Sequence, residues 1–207
     1  MGMGDRVRAR ALAVFAFLVC GVGSAAAMEL DFGIVKTLEY LSLPAPNPSR
    51  PIVCHGFGCA YQTPIALRPG DLAQIRRFFG SVEDAIDERR ALAATMAWFE
   101  KRVAAEAGTA TAKARAGLGH AGDPSQFDCL DKTSNTINVL AVIAQLGLLR
   151  HHAIDNPESR GGLGGLPHTS AVVREKGNGQ KWVIDGWTHN NGEYPDIMKL
   201  EKWKTES

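Results

Sequence analysis

The residues best suited to chemistry are found in Gln126-Phe127-Asp128-Cys129-Leu130-Asp131-Lys132-Thr133 and at His168 and Asp185. A cysteine becomes an acyl-transfer nucleophile when a base takes its proton and a third group orients that base. With Asp128 as a helix N-cap, Cys129 is the first helical residue. The unpaired N–H groups and positive dipole end there favour a thiolate and can hold an oxyanion. Asp128 and Asp131 oppose this, because carboxylates beside a thiol raise its pKa. A cationic neighbour must outweigh them, and a histidine is the natural one. His168 opens one β-rich run and Asp185 lies near the end of the next. A turn near Gly177 or Asn178 brings residue 168 opposite 185–187, where Asp185 can accept a hydrogen bond from the His168 ring. The expected triad is therefore Cys129 as nucleophile, His168 as base and Asp185 as orienter.

Taken alone, His168 reads as a surface or satisfied core histidine; its joint placement with Cys129 and Asp185 favours the catalytic reading. His151 and His152 follow the cysteine helix at its C-terminal end, where positive charge suits the dipole. At ~1.5 Å per residue they lie about 30 Å from Cys129. His120 and His189 are alternatives to His168 with poorer strand positions.

The elements that must position these groups follow from the hydrophobic pattern. Residues 41–51, with Pro44, Pro46, Pro48 and Pro51, predict an extended segment. Residues 52–67 predict short strands around Cys54 and Cys59, ended by Arg68-Pro69-Gly70. Asp71 is expected to cap a short helix through Phe79. Ser81 with Asp84 reads as a capping box, opening an amphipathic helix that buries Val82, Ile86, Leu92, Met96, Phe99 and Val103 and ends near Gly108. Residues 107–124 read as a loop. The helix from Cys129 to about Gly147 is apolar on most sides and should be the central one. A glycine-rich loop at 161–165 then leads to a hairpin of runs 168–174 and 181–187. Helices followed by antiparallel strands predict an α+β fold in one domain, residues 28–207.

Composition sets the class. The chain has 207 residues, 45% of them hydrophobic and 22% charged, with a formal net charge of +1. That describes a globular protein with a full core. It gives no electrostatic case for nucleic acid. Residues 1–27 read as a secretory signal: Arg6, Arg8 and Arg10, an apolar run from Ala11 to Cys20, and the small residues Ala25-Ala26-Ala27. The apolar run is shorter than the ~20 residues of a bilayer span. Cleavage leaves a charge of about −1 and an exported, periplasmic protein with no membrane span.

Export permits disulfides. Cys54 and Cys59 flank His55-Gly56-Phe57-Gly58, whose glycines allow a tight loop, so these two are expected to pair and leave Cys129 free. A zinc site from Cys54, His55 and Cys59 lacks paired ligand spacing, and no metal is expected there.

The pattern Asp-Cys-x-Asp at 128–131, His168 opening a strand and Asp185 on the next resembles the transglutaminase-like branch of the papain-like cysteine enzymes. It is most similar to the bacterial transglutaminase-like cysteine proteinases, over residues 123–189. The resemblance implies a transglutaminase-like core, a Cys129–His168–Asp185 triad and an exported thiol protease or amidase acting on a peptide or protein amide. Some of those proteinases bind calcium near the site. Asp131 matches the Cys-x-Asp acid, but no dense loop of oxygen ligands accompanies it, and no other cofactor is implied. Gln126 is a candidate oxyanion donor, as a glutamine is in papain-like enzymes, although three residues before the cysteine is closer than usual.

Asp128, Asp131, Asn135 and Asn138 form a polar stripe that either binds a ligand or, as preferred here, locks the helix to its surroundings. Trp182, Trp187 and Trp203 either line a cleft or fill the core, with core the favoured use. Two other functions stay open: a transamidase on the same thioester, and a catalytically inactive envelope protein using the fold for binding.

Overall fold

The computed structural model describes Met1, residues 32–161 and residues 167–206. The signal segment, and 162–165 of the glycine-rich loop, lie outside the described residues. Helix α1 (Phe32–Tyr40) leads through an irregular segment to the hairpin β1 (Ile52–His55) and β2 (Tyr61–Pro64). Helices α2 (Pro69–Phe78) and α3 (Ala85–Ala107) follow, then a long loop and the central helix α4 (Cys129–Gln145). The chain closes with β3 (His152–Arg160), β4 (His168–Glu175), β5 (Lys181–Asp185), β6 (Asp196–Lys199) and α5 (Leu200–Thr205). Strands β3-β4-β5-β6 form one antiparallel sheet. The class is α+β.

Helix α4 is buried from Asp131 to Ile143 because it packs on β4 along one side and β1 along another. Its Leu140 and Ile143 join Leu92, Met96, Phe99 and Val103 of α3 and Val173 and Ile184 of the sheet in the main core. On the opposite face of the sheet, Val172 and Val183 pack against Trp203 of α5. Both faces are therefore covered, which explains why β4 is buried without a break from Thr169 to Val173 rather than at alternate positions.

Two helix boundaries differ from expectation. Helix α2 starts two residues before Asp71, with Pro69 in the first helical turn; Asp71 sits at N3, accepts the Arg68 N–H at 2.9 Å and pairs with Arg102. Pro at the start fits because its missing N–H would be unpaired there anyway. The cap of α3 is Asp84 rather than Ser81, accepting from Ile86 and Asp87 N–H at 2.8 Å each. Helix α3 ends at Gly108 in the left-handed conformation, φ 73°, as expected.

The strand β3 occupies residues expected to be loop. It is an edge strand whose pairing with β4 shifts register between Asp155 and Glu158, around Pro157. A proline at a bulge on an edge removes no needed hydrogen bond, so a sequence that reads as irregular can still be a strand.

His152 begins β3 and plays no part at the α4 terminus. Its ring and the N–H groups of Arg150, His151 and His152 all converge on the carboxylate of Glu88, at 2.7–2.9 Å. Burial would raise the Glu88 carboxyl, but the His152 ring and those amides outweigh it and hold the pKa below its ordinary value. This satisfied buried charge fastens α3 to the start of the sheet.

Candidate active site

Asp128 has extended backbone (φ −92°, ψ −176°) and caps α4, so Cys129 is the first residue of the helix. The cap is reciprocal: Asp128 Oδ1 accepts the Asp131 N–H at 2.8 Å, and Asp131 Oδ2 accepts the Asp128 N–H at 3.1 Å. The Cys129 N–H belongs to the first turn, where no helical acceptor exists.

The same two carboxylates grip the loop between the disulfide-bonded Cys54 and Cys59. Gly56, Phe57, Gly58 and Cys59 all have positive φ, from 60° to 82°. This turns successive N–H groups to one side, a concavity suited to anions. Phe57 and Cys59 donate to Asp131 at 2.8 and 2.6 Å, and Gly58 donates to Asp128 at 2.8 Å. Asn135 adds two bonds to the Cys54 backbone, 2.7 and 2.9 Å. At Gly56 a Cβ would run into the Tyr61 ring, so glycine is required for space as well as for φ. Asp128, Asp131 and Asn135 thus lock the helix to the disulfide loop, whereas Asn138 of the same stripe donates to Ser134 O at 3.1 Å within the helix. Burial, and then the Asp128 charge, push the Asp131 carboxyl up to about 6 against these donors.

Saturated carboxylates do not suit calcium, which needs several free oxygen donors. Each oxygen of Asp128 and Asp131 already accepts a backbone N–H. Among the described residues no cluster of three or more His, Cys, Asp or Glu is placed to hold a metal. A zinc site at the loop has no free ligands: Cys54 and Cys59 bond each other, and the His55 ring is engaged by Pro124 O at 2.6 Å and Thr63 Oγ1 at 2.9 Å.

His168 and Asp185 meet as the strand register requires. Ala171 pairs with Ile184, so residue 168 lies across from 187, and Asp185 is the diagonal neighbour. His168 Nε2 lies 2.6 Å from Asp185 Oδ2. That buried carboxylate also accepts Trp203 Nε1–H at 2.9 Å and the Trp187 N–H at 3.2 Å. Burial acts to raise its pKa, but His168 first and then the two tryptophan donors hold it below the usual carboxylate range. The His168 ring lies against Trp187 and Trp203, with centroids 4.8 and 5.5 Å away. Its Nδ1 is buried and has no hydrogen-bond partner among the described residues.

Cys129 is half-buried and unpaired. Its Sγ lies 3.9 Å from the Pro167 carbonyl, and the Thr169 amide also acts on it. Thr133 Oγ1 donates to the Cys129 carbonyl at 2.7 Å and to that of Thr169 at 3.0 Å, tying the helix start to the strand start. The sulfur thus sits against the backbone on both sides of His168. Burial pushes the Cys129 thiol up; the Thr169 amide and the cysteine's own amide oppose this, while Asp128 and Asp185 add to it. The helix terminus alone therefore does not produce the low-pKa thiolate that its position suggested.

Gln126 has a different task from oxyanion binding. Its side chain is buried, with Oε1 accepting the Lys113 N–H at 2.9 Å and Nε2 turned to Ser125 Oγ at 3.2 Å and Thr111 O at 3.5 Å. A glutamine three residues before the cysteine reaches the preceding loop, not the sulfur. His120 lies 4.0 Å from Asp123, and His189 faces Asp196 at 3.1 Å.

The tryptophans divide between uses: Trp182 is stacked under Arg89 at 3.7 Å and donates to Glu175, whereas Trp187 and Trp203 enclose the histidine. Two-residue spacing puts Asp185 and Trp187 on one face of an extended chain, a signal that could have placed Trp187. Trp203 comes from a short terminal helix that no motif announces.

A scan against protein-family models and searches of curated proteins and of solved structures found no match to the chain.

Proposed function

We propose that this protein is an exported cysteine hydrolase, a protease or amidase with a transglutaminase-like core, that cleaves an amide bond through Cys129, His168 and Asp185. The observation that carries the reading is His168. One ring nitrogen is tied to a buried carboxylate, and the other is buried without a partner beside the backbone against which the Cys129 sulfur rests. A solvent-shielded imidazole that is oriented by a carboxylate and keeps one nitrogen free supports a role as general base.

Burial pushes the Cys129 thiol up, so a base has to take its proton, and His168 is that general base. As Cys129 Sγ attacks the carbonyl carbon, the thiol proton passes to His168 Nδ1 and Asp185 stabilises the imidazolium. The carbonyl oxygen becomes an oxyanion near the first N–H groups of α4. Collapse of the intermediate expels the amine, which takes the proton from His168, and leaves a thioester on Cys129. Water, deprotonated by His168, releases the acid and restores the thiol. The Cys54–Cys59 disulfide is compatible with an oxidising compartment. No described helix is long and apolar enough to cross a membrane.

The test is a panel of peptide p-nitroanilides incubated with the mature protein and with Cys129→Ala. The reading expects turnover that the substitution abolishes at unchanged melting temperature. Turnover retained in Cys129→Ala would reject it.

A further inference from the structure

The loop before α4 is fastened to both walls of this site by three successive backbone donors. Lys113 N–H goes to Gln126 Oε1 at 2.9 Å, Ala114 N–H to Asn190 Oδ1 at 3.1 Å and Arg115 N–H to the Trp187 carbonyl at 2.8 Å. Gln126 lies just upstream of the nucleophile, and Trp187 stacks on its base. The loop also holds Asn191, whose N–H donates to Ala112 O at 3.1 Å.

Two features of the segment are unexplained by packing. Arg115 has φ 53°, a left-handed conformation that glycine or asparagine adopts more readily. Lys113 and Arg115 are both exposed, and among the described residues neither has an ion-pair partner, although the carboxylates of the same loops are engaged. Asp123 accepts from Ser125, and Glu193 from Asn190. A left-handed backbone that presents two cations without ion-pair partners, on a loop bonded to the carbonyl of Trp187 whose ring lies against His168, suits recognition of charge on a bound molecule.

We propose that Lys113 and Arg115 recognise a carboxylate on the substrate, so that the substrate class is an acidic peptide carrying negative charge close to the amide to be cleaved. This rests on the reading of Cys129 as the nucleophile of an amide hydrolase. Arg115 supplies a planar fork for the carboxylate and Lys113 a second, movable charge.

The experiment uses two fluorescent peptides identical except that glutamates in one are glutamines in the other. Binding to the Cys129→Ala protein is read by anisotropy, and turnover by the wild-type protein is read separately. The glutamate peptide should bind about tenfold more tightly, the preference should weaken with salt, and it should shrink toward unity when Lys113→Gln and Arg115→Gln are combined. Replacing Arg115→Gln by Arg115→Gly, which relaxes the left-handed backbone, should lose the same preference with no fall in melting temperature. Equal binding of the two peptides, or a preference that survives the double substitution, overturns the proposal. Failure of the wild-type protein to cleave either peptide counts against the hydrolase reading, while the binding comparison still decides the rim.

Discussion

Replacing Asp185→Asn tests the link between carboxylate and thiol. The carboxylate receives three donors: His168 Nε2 and Trp203 Nε1 on Oδ2, and the Trp187 N–H on Oδ1. Asparagine offers one acceptor oxygen and one NH2. With the oxygen toward His168, the NH2 confronts the Trp187 N–H. Flipped, the NH2 faces the ring, which must then accept at Nε2 and carry its proton at Nδ1, the nitrogen needed as base. Either way the imidazolium loses its counter-ion. A hydrogen bond to a charged group nets about 1.5–3 kcal/mol, which at ~1.4 kcal/mol per decade is a factor of about 10–150 in the thiolate–imidazolium pair. The assay is the second-order rate of Cys129 alkylation by iodoacetamide, followed by intact mass from pH 6 to 10. At pH 7 the Asp185→Asn rate should fall by tens-fold, toward that of His168→Ala. All three proteins should converge at high pH, where hydroxide removes the proton unaided. One unsatisfied buried donor costs ~1–3 kcal/mol, so a melting point lower by several degrees is compatible with a folded variant. A folded Asp185→Asn protein alkylated at the wild-type rate at pH 7 would refute the coupling.

Three further outcomes follow from the geometry. Because burial raises the Cys129 thiol, the wild-type alkylation rate should keep rising above pH ~8.5, the ordinary thiol value; a plateau reached by pH 7 would contradict this. Removing the disulfide with Cys54→Ser and Cys59→Ser frees a loop of five residues' separation, costing about 2 kcal/mol by loop entropy, and should also slow Cys129 alkylation by loosening the grip on Asp128 and Asp131; unchanged stability and reactivity would show that the loop does not position the cap. Glu88 has a folded pKa below its unfolded value, so its contribution is complete above pH ~4.5 and is lost as pH falls through the lowered value. Urea denaturation of wild type and Glu88→Gln at pH 3–7 should therefore show a stability gap that closes toward pH 3; a gap independent of pH would argue against an ionised Glu88.

Much of the site was legible because it is local or follows from strand register. Asp128 as cap fixes Cys129 at the helix start, and a turn centred between Gly177 and Asn178 fixes which residues face His168. The disulfide was legible from two glycines in a short loop. The edge strand β3 was hidden because Pro157 and its polar neighbours read as loop, and only its pairing with β4 makes it a strand. The Gln126 side chain could not be aimed from sequence, since its partners lie on a loop with no periodic signal. The thiol pKa was misjudged for a similar reason. The dipole and the two aspartates can be read locally, but burial, which dominates, depends on how the chain closes over the sulfur.

The central claim is that Cys129 accepts an acyl group with His168 as its base. Incubation of the mature protein with p-nitrophenyl acetate, followed by quenching and peptide mass mapping, tests it directly. The account predicts one acetyl group on Cys129, removable by hydroxylamine as a thioester and strongly reduced in His168→Ala. Acetylation confined to lysines, or a Cys129 thioester formed equally well without His168, would contradict it.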